Sequence, residues 1–180
     1  MSEFLRKMSV LNILCYPDPF LKTTAEPVVN FDKELEQIIN DMVETLYQNP
    51  AIGLAAVQVD IDKRIFVMDV SYNREDPESK KETHIIINPE IVKTEGSTIY
   101  EEGCLSIPEY RAEVQRAENL VLKYQDINQN PQELKAEGLL AICIQHEFDH
   151  LNGKLFIDHL APLKRKMIQN KLKKQALRDS

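Results

Sequence analysis

Apolar residues recur at Leu35, Ile38, Ile39, Met42, Val43 and Leu46. This i, i+3, i+4 rhythm predicts an amphipathic helix from Asp32 to Tyr47. Asp32 is suited to cap it, because a short carboxylate accepts from the first unpaired N–H groups. Asn49-Pro50 stops it. Ahead of this helix, Tyr16-Pro-Asp-Pro19 predicts a turn, and residues 1–9 a polar leader. Beyond it, Arg64–Val70 reads as a strand, and His84–Val92 as a second strand region broken at Pro89. His84 is read as structural or solvated. Ser71–Thr83 is charged and polar and predicts an exposed loop or hairpin tip. Ala112–Val114 and Leu120–Tyr124 alternate as antiparallel strands. Asp126–Pro131 is a turn and Gln132–Ala136 a returning strand.

The stretch Ala141–Gly153 is different. Leu139, Cys143, His146 and His150 form one helical stripe, and Leu140, Ile144, Phe148 and Leu151 another. Only Gln145, Asp149 and Asn152 make a polar strip. A helix apolar over most of its circumference is central and buried, and Gly153 stands where a glycine ends a helix. After it, Phe156-Ile157 reads as a short extended piece. Pro162 opens a last helix, with Leu163, Met167, Ile168 and Leu172 as its apolar face.

Composition narrows the class. At 180 residues, 43% hydrophobic and 28% charged, the chain is read as a single catalytic domain over 1–180, with leader 1–9 and a basic C-terminal helix 162–180. A net charge of −7 argues against a generally nucleic-acid-binding surface, though not against a local basic patch. Three cysteines, Cys15, Cys104 and Cys143, make no disulfide framework and fit a reducing compartment. The run Val10–Cys15 is too short and interrupted for a signal peptide or membrane span, so a soluble, cytoplasmic protein without membrane partners is expected.

The chemistry lies in His146-Glu147-Phe148-Asp149-His150, an H-E-x-x-H pentad. On a helix its two histidines share a face, with Cβ atoms roughly 5–6 Å apart, and can grip one metal ion. Buried imidazoles without partners are costly, which favours a metal over a solvated coincidence. A catalytic site usually takes a third protein ligand. Phe156 stands where one zinc-protease pattern carries its third histidine, which excludes that pattern. Asp158, His159 and Cys104 remain. Cys104 is best on chemistry: it follows Gly103 and offers a thiolate suited to borderline ions. Cys143 is read as pocket wall and Cys15 as an ordinary buried thiol. Ala51–Gln58 is the other unusual segment. Gly53, Ala55 and Ala56 permit close approach of another chain, and Gln58 follows an apolar run, either as a functional amide or simply facing solvent.

Three stretches together, Ala51-Ile-Gly-Leu-Ala-Ala-Val-Gln58, Glu102-Gly-Cys-Leu-Ser106 and Gln145-His-Glu-Phe-Asp-His150, resemble the motifs of the peptide deformylases. The resemblance runs from about residue 9 to the last helix, and departs from the motifs only in Ala51, where the family has glycine. It implies an α+β fold, with antiparallel strands packed around a central metal-binding helix and a C-terminal amphipathic helix. It implies removal of the N-formyl group from the initiator methionine of new proteins. Cys104, His146 and His150 would hold one divalent metal: ferrous iron in the cell, with zinc, nickel or cobalt as alternatives in the purified protein. Glu147 would be the general base acting with metal-activated water. The Gln58 amide and Leu105 N–H would hold the oxyanion. Ile52, Gly53, Gly103 and Arg111 would hold the peptide backbone. Ile52, Tyr100, Leu139, Ile142, Cys143 and the His146 ring would form a methionine pocket. Glu102 either orients a ligand imidazole or simply pairs with Arg116. Expected partners are N-formylmethionyl peptides and nascent chains. The basic last helix is either a solvated face or a ribosome contact. A zinc endopeptidase and a metal-stabilised module binding nascent N-termini are the competing readings.

Overall fold

Strand Ile65–Met68 (β2) is apolar at every position because both of its faces are covered. Ile65 and Val67 face helix Lys33–Gln48 (α1), in a core with Leu35, Ile39, Met42, Leu46 and Leu54. Phe66 and Met68 face helix Gly138–Leu151 (α2), in a core with Ile86, Leu122, Ala141 and Ile144. This computed structural model describes residues 9–76 and 78–179. Residues 1–8 of the expected leader, together with Pro77 and Ser180, lie outside the described residues.

The sheet between the two helices has five strands. In order they are Gly53–Ala55 (β1), β2, His84–Glu95 (β3), Asn119–Gln125 (β6) and Pro131–Glu137 (β7), all antiparallel. Strands Thr98–Cys104 (β4) and Ile107–Arg116 (β5) form a separate hairpin. Its inner residues Ile107, Ala112 and Val114 pack on Leu155, Phe156, Ile157 and the last helix, Pro162–Asp179 (α3). The segments read as Ala112–Val114 and Leu120–Tyr124 are therefore both strands, but in different sheets.

α1 starts where its cap requires. The Asp32 carboxylate accepts from the Glu34 and Leu35 N–H groups, at 3.1 and 3.0 Å. β3 is not broken at Pro89 as expected. The chain makes a bulge between Ile87 and Glu90, with Asn88 at φ 51°. A left-handed non-glycine residue costs on the order of 1–3 kcal/mol. The Asn88 side chain offsets this with bonds to Val28 N–H, Val28 C=O and Gln125 Oε1 at 2.8, 2.9 and 2.7 Å, each worth about 1 kcal/mol.

Phe156-Ile157 is a 3-10 turn over Phe156–His159, not an extended piece. Both side chains are buried, and the Asp158 carboxylate accepts from the Leu155 N–H at 2.9 Å, which winds the segment. In α3 the apolar face is narrower than expected: Ile168 and Leu172 are buried, while Leu163 and Met167 are exposed. Gly153, two residues past the end of α2, has φ 67°, and a Cβ there would fall 2.4 Å from the Lys22 carbonyl oxygen. No helix among the described residues is long and apolar enough to cross a membrane.

Candidate metal centre

α2 carries His146 and His150 one turn apart, and their Nε2 atoms lie 3.2 Å from each other. The third group comes from β4. Side chains two apart on a strand share a face, so Glu102 and Cys104 both turn toward α2. A register shift after Gly103 ends regular pairing with β5. The Cys104 Sγ then lies 3.4 Å from His150 Nε2. Ligand atoms of Cys104, His146 and His150 all lie within 4.8 Å of one another. Asp158 and His159 are engaged elsewhere, Asp158 with Lys22 and His159 with Asp149.

The donor set fits a divalent metal. Two imidazole nitrogens and a thiol suit a borderline ion. His146 Nδ1–H donates to Glu102 Oε2 at 2.7 Å, which leaves Nε2 free to meet a metal. Burial and the neighbouring His146 hold His150 well below the usual histidine range, so its lone pair stays available. One oxygen of the buried Glu147, Oε2, has no hydrogen-bond partner in the protein. The Phe156 ring stacks on His146, centroids 6.4 Å apart, and so fixes the imidazole plane instead of supplying a ligand.

Glu102 both orients the His146 imidazole and pairs with Arg116. Besides His146, it takes a two-pronged pair from Arg116, Nε at 2.6 Å and Nη2 at 3.0 Å. Arg116 passes Nη1–H to Asp149 at 2.7 Å, and Asp149 accepts from His159 at 2.6 Å. Burial alone would raise the Glu102 carboxyl, but the bonds from His146 and Arg116 outweigh it and hold it at about 2. The sign follows. A folded value below the ordinary 4.5 means the pairing stabilises fully above pH 4.5 and is lost as pH falls toward 2. About two and a half units correspond to roughly 3 kcal/mol. Glu102→Gln is therefore expected to flatten acid unfolding between pH 4.5 and 2, and to weaken metal retention about 10–100-fold, read by chelator competition.

The remaining groups surround a groove of about 630 Å³ beside the cluster. Gln58 is buried in a 3-10 turn after β1, not solvent-facing. Its Oε1 accepts from Ala55 N–H at 2.9 Å, while Nε2 points to Cys104 Sγ (3.4 Å) and Ser106 Oγ (3.2 Å). Ile52, Gly53, Tyr100, Gly103, Leu105, Arg111, Leu139, Ile142, Cys143, His146 and Glu147 all line the groove. Arg111 is exposed and pairs with Glu101 at 3.2 Å. Burial pushes the Cys143 thiol well above its ordinary range, as suits a wall, and its Sγ sits 3.7 Å from the Ile52 carbonyl. Cys15 is exposed, contrary to expectation, because residues 10–16 run along the surface of the Leu105 turn. Leu14 N–H bonds Gln58 C=O and Tyr16 N–H bonds Ser106 C=O, both at 2.8 Å. Ser106 and Asp149 stood inside the motifs without an assigned part. Arg74 also lines the groove, from a loop with no distinguishing pattern.

Gly53 is needed for its lack of a side chain. A Cβ there would lie 2.3 Å from Glu147 Oε1 and 2.9 Å from its Cγ. The Cγ and the carboxylate of the buried Glu147 both have to move, so Gly53→Ala is expected to cost about 1–3 kcal/mol of folding stability. The same shift displaces the carboxylate, and catalysis is expected to fall about a hundredfold with metal retained. Parallel urea unfolding and turnover assays check both halves.

A profile of the polypeptide deformylase family matches residues 10–166. The chain belongs to the peptide deformylase family. It is 52% identical over 168 residues to a peptide deformylase of Chromobacterium violaceum, covering 93% of this chain and 97% of that one. A peptide deformylase from Legionella pneumophila superposes with a TM-score of 0.84 at 44% identity, over 95% of this chain and 98% of the other. A deformylase from Acinetobacter baumannii solved with Met-Ala-Ser bound gives a TM-score of 0.79 at 33% identity, over 86% and 100%. The protein is thus a metal-dependent hydrolase that removes the N-formyl group from newly made chains. Neither the endopeptidase nor the binding-module reading is favoured.

Proposed function

We propose that Cys104, His146 and His150 hold a single divalent ion, ferrous iron in the cell, which zinc, nickel or cobalt can replace in the purified protein. The observation that carries this reading is the convergence of one Sγ and two Nε2 atoms beside the unpartnered oxygen of Glu147. When bound, the metal supplies Lewis acidity that makes water available as a nucleophile near neutral pH. Glu147 takes the proton from the attacking water and returns it to the departing amine. The Gln58 Nε2–H and the Leu105 N–H donate to the formyl oxygen as its negative charge develops, each worth roughly 3 kcal/mol. Glu102 keeps His146 in the ligating tautomer.

The substrate is a formyl-methionyl chain, bound extended between the open edge of β1 and the β4–β5 hairpin. Ile52, Gly53, Gly103 and Arg111 hold its backbone. The methionine side chain lies against Ile52, Tyr100, Leu139, Ile142, Cys143 and the His146 ring, an apolar wall suited to a thioether. That a deformylase from Acinetobacter baumannii has been solved with Met-Ala-Ser bound supports a methionyl peptide as the ligand class. Residues 1–180 act as one catalytic domain in the cytoplasm. The assignment is tested by replacing each group in turn and reading metal content and formate release on the same sample.

The basic face of α3 meets ribosomal RNA and brings the enzyme to emerging chains. Lys164, Lys166, Lys171, Lys173, Lys174 and Arg178 are exposed on an otherwise acidic protein. Reversing Lys166, Lys173 and Lys174 to Glu is expected to abolish salt-sensitive co-sedimentation with ribosomes. Co-sedimentation that survives the reversal contradicts this reading.

A further inference from the structure

The loop between β2 and β3, which by pattern is only an exposed polar connection, is a built structure. Asp69 is buried at its base. One carboxylate oxygen accepts from Ser71 N–H, Ser71 Oγ and Tyr72 N–H, and the other from Tyr47 Oη at 2.6 Å and Glu82 N–H at 2.8 Å. Both ends of the loop are thus tied to one side chain. Tyr72 packs edge-on against Tyr47, with centroids 5.0 Å apart, and the Arg74 guanidinium lies over Tyr72 at 5.5 Å. Held in this way, Arg74 Nη2 reaches three backbone carbonyls: Ala51 and Asn49 at 2.7 Å, and Leu46 at 3.3 Å.

The Asn49 and Ala51 carbonyls belong to the linker from α1 into β1, and the Leu46 carbonyl to the last turn of α1. β1 is an edge strand, pairing with β2 alone, and the groove lies along it. Gly53 abuts Glu147. Going back from Gly53 through Ile52 to Ala51 and Pro50, the chain leads along the groove away from the reacting end. The chain bends at Ile52, and Ala51 and Pro50 line the groove beyond Gly53. The Ile52 peptide is already held by Asp69 N–H on its carbonyl at 2.9 Å. Outside it, Arg74 is the side chain that holds the Ala51 peptide plane.

We propose that Arg74 is a positioning residue for substrate: by clamping the Ala51 and Asn49 carbonyls it holds the outer edge beyond β1 in register for the residues that follow formyl-methionine. The inference rests on the deformylase reading and adds to it a residue remote from the metal. It acts on binding of the downstream chain and not on the formyl group, so its effect grows with peptide length.

The test compares formyl-Met with formyl-Met-Ala-Ser on metal-loaded wild type, Arg74→Met and Arg74→Lys. Methionine keeps an apolar stem on Tyr72 without N–H groups, and lysine keeps a cation and donors. For Arg74→Met the KM for formyl-Met-Ala-Ser is expected to rise about tenfold, with kcat within about twofold, while kcat/KM for formyl-Met falls no more than about threefold. Arg74→Lys is expected within about threefold of wild type on both substrates. Metal content and thermal midpoint, read on the same samples, separate misfolding from misplacement. An unchanged KM in Arg74→Met, equal losses on both substrates, or a lysine variant no better than methionine would overturn the proposal. No formate from either substrate with the wild type would instead overturn the deformylase reading itself.

Discussion

Cys104→Ala is expected to fold and yet to retain no stoichiometric metal, and formate release is expected to fall by on the order of a thousandfold or more. Cys104 is only half-buried at the tip of the hairpin, so little packing is lost with its sulfur. The hairpin stays anchored by Ile107, Ala112 and Val114 against the C-terminal segment. What disappears is the only thiol whose sulfur approaches both ligand imidazoles among the described residues. Two neutral imidazoles alone make a weak site, and nothing else in the groove makes water a competent nucleophile near neutral pH. Cys15→Ser is the matching control. Its thiol is exposed, outside the cluster, and the variant is expected to keep both metal and turnover. Elemental analysis of the two variants beside wild type, with near-ultraviolet circular dichroism to confirm folding, reads the comparison. Equal metal in Cys104→Ala and wild type would remove the thiol from the ligand set.

Glu147→Gln is expected to keep the metal and lose about 10²–10⁴ in kcat, the usual contribution of a positioned general base. Glutamine fills the same space beside Gly53, so geometry is preserved while proton uptake is not. The pH profile gives a second readout. Burial pushes Glu147 up to about 7, with the opposing pull of His146 offsetting only part of that. A base works in its ionised form, so the rate falls as pH drops through its pKa. A bound cation lowers that pKa, which places the acid limb of the wild-type profile below about 7. The limb is expected to vanish in Glu147→Gln, leaving a low, flat rate. A glutamine variant that retains wild-type turnover would mean that some other group carries the proton.

The fold was legible where local signals agreed. α1 begins and ends within a residue of its expected bounds, because Asp32, the apolar period and Asn49-Pro50 all point to the same limits. α2 was legible for the same reason. Its unusual feature, apolarity on nearly every side, follows from its position between the sheet and the hairpin. The failures lie where remote partners decide. The bulge at Asn88 depends on Val28, 60 residues away, and Gln125, 37 away. The 3-10 turn at Phe156 depends on burial against the hairpin. The exposure of Cys15 depends on where residues 10–16 cross the Leu105 turn. The candidate site divides in the same way. His146, Glu147 and His150 are local, readable from helical spacing alone. Cys104 lies 46 residues from His150, and only its motif singled it out. The chain of bonds from His146 through Glu102, Arg116 and Asp149 to His159 joins two strands, a helix and a turn, and no single segment announces it. Arg74 carries no local signal either, since its partners are backbone carbonyls.

The most direct measurement is turnover of formyl-Met-Ala-Ser by protein prepared anaerobically with ferrous iron, with formate and peptide masses followed together. Formate is expected to appear in equal amount with free Met-Ala-Ser, both internal peptide bonds remaining intact, and the rate of both products is expected to fall about 10²–10⁴-fold in Glu147→Gln at full metal content. Cleavage between residues of the tripeptide without formate, or no product from a fully metal-loaded wild type, would contradict a formyl hydrolase built on Cys104, His146, His150 and Glu147.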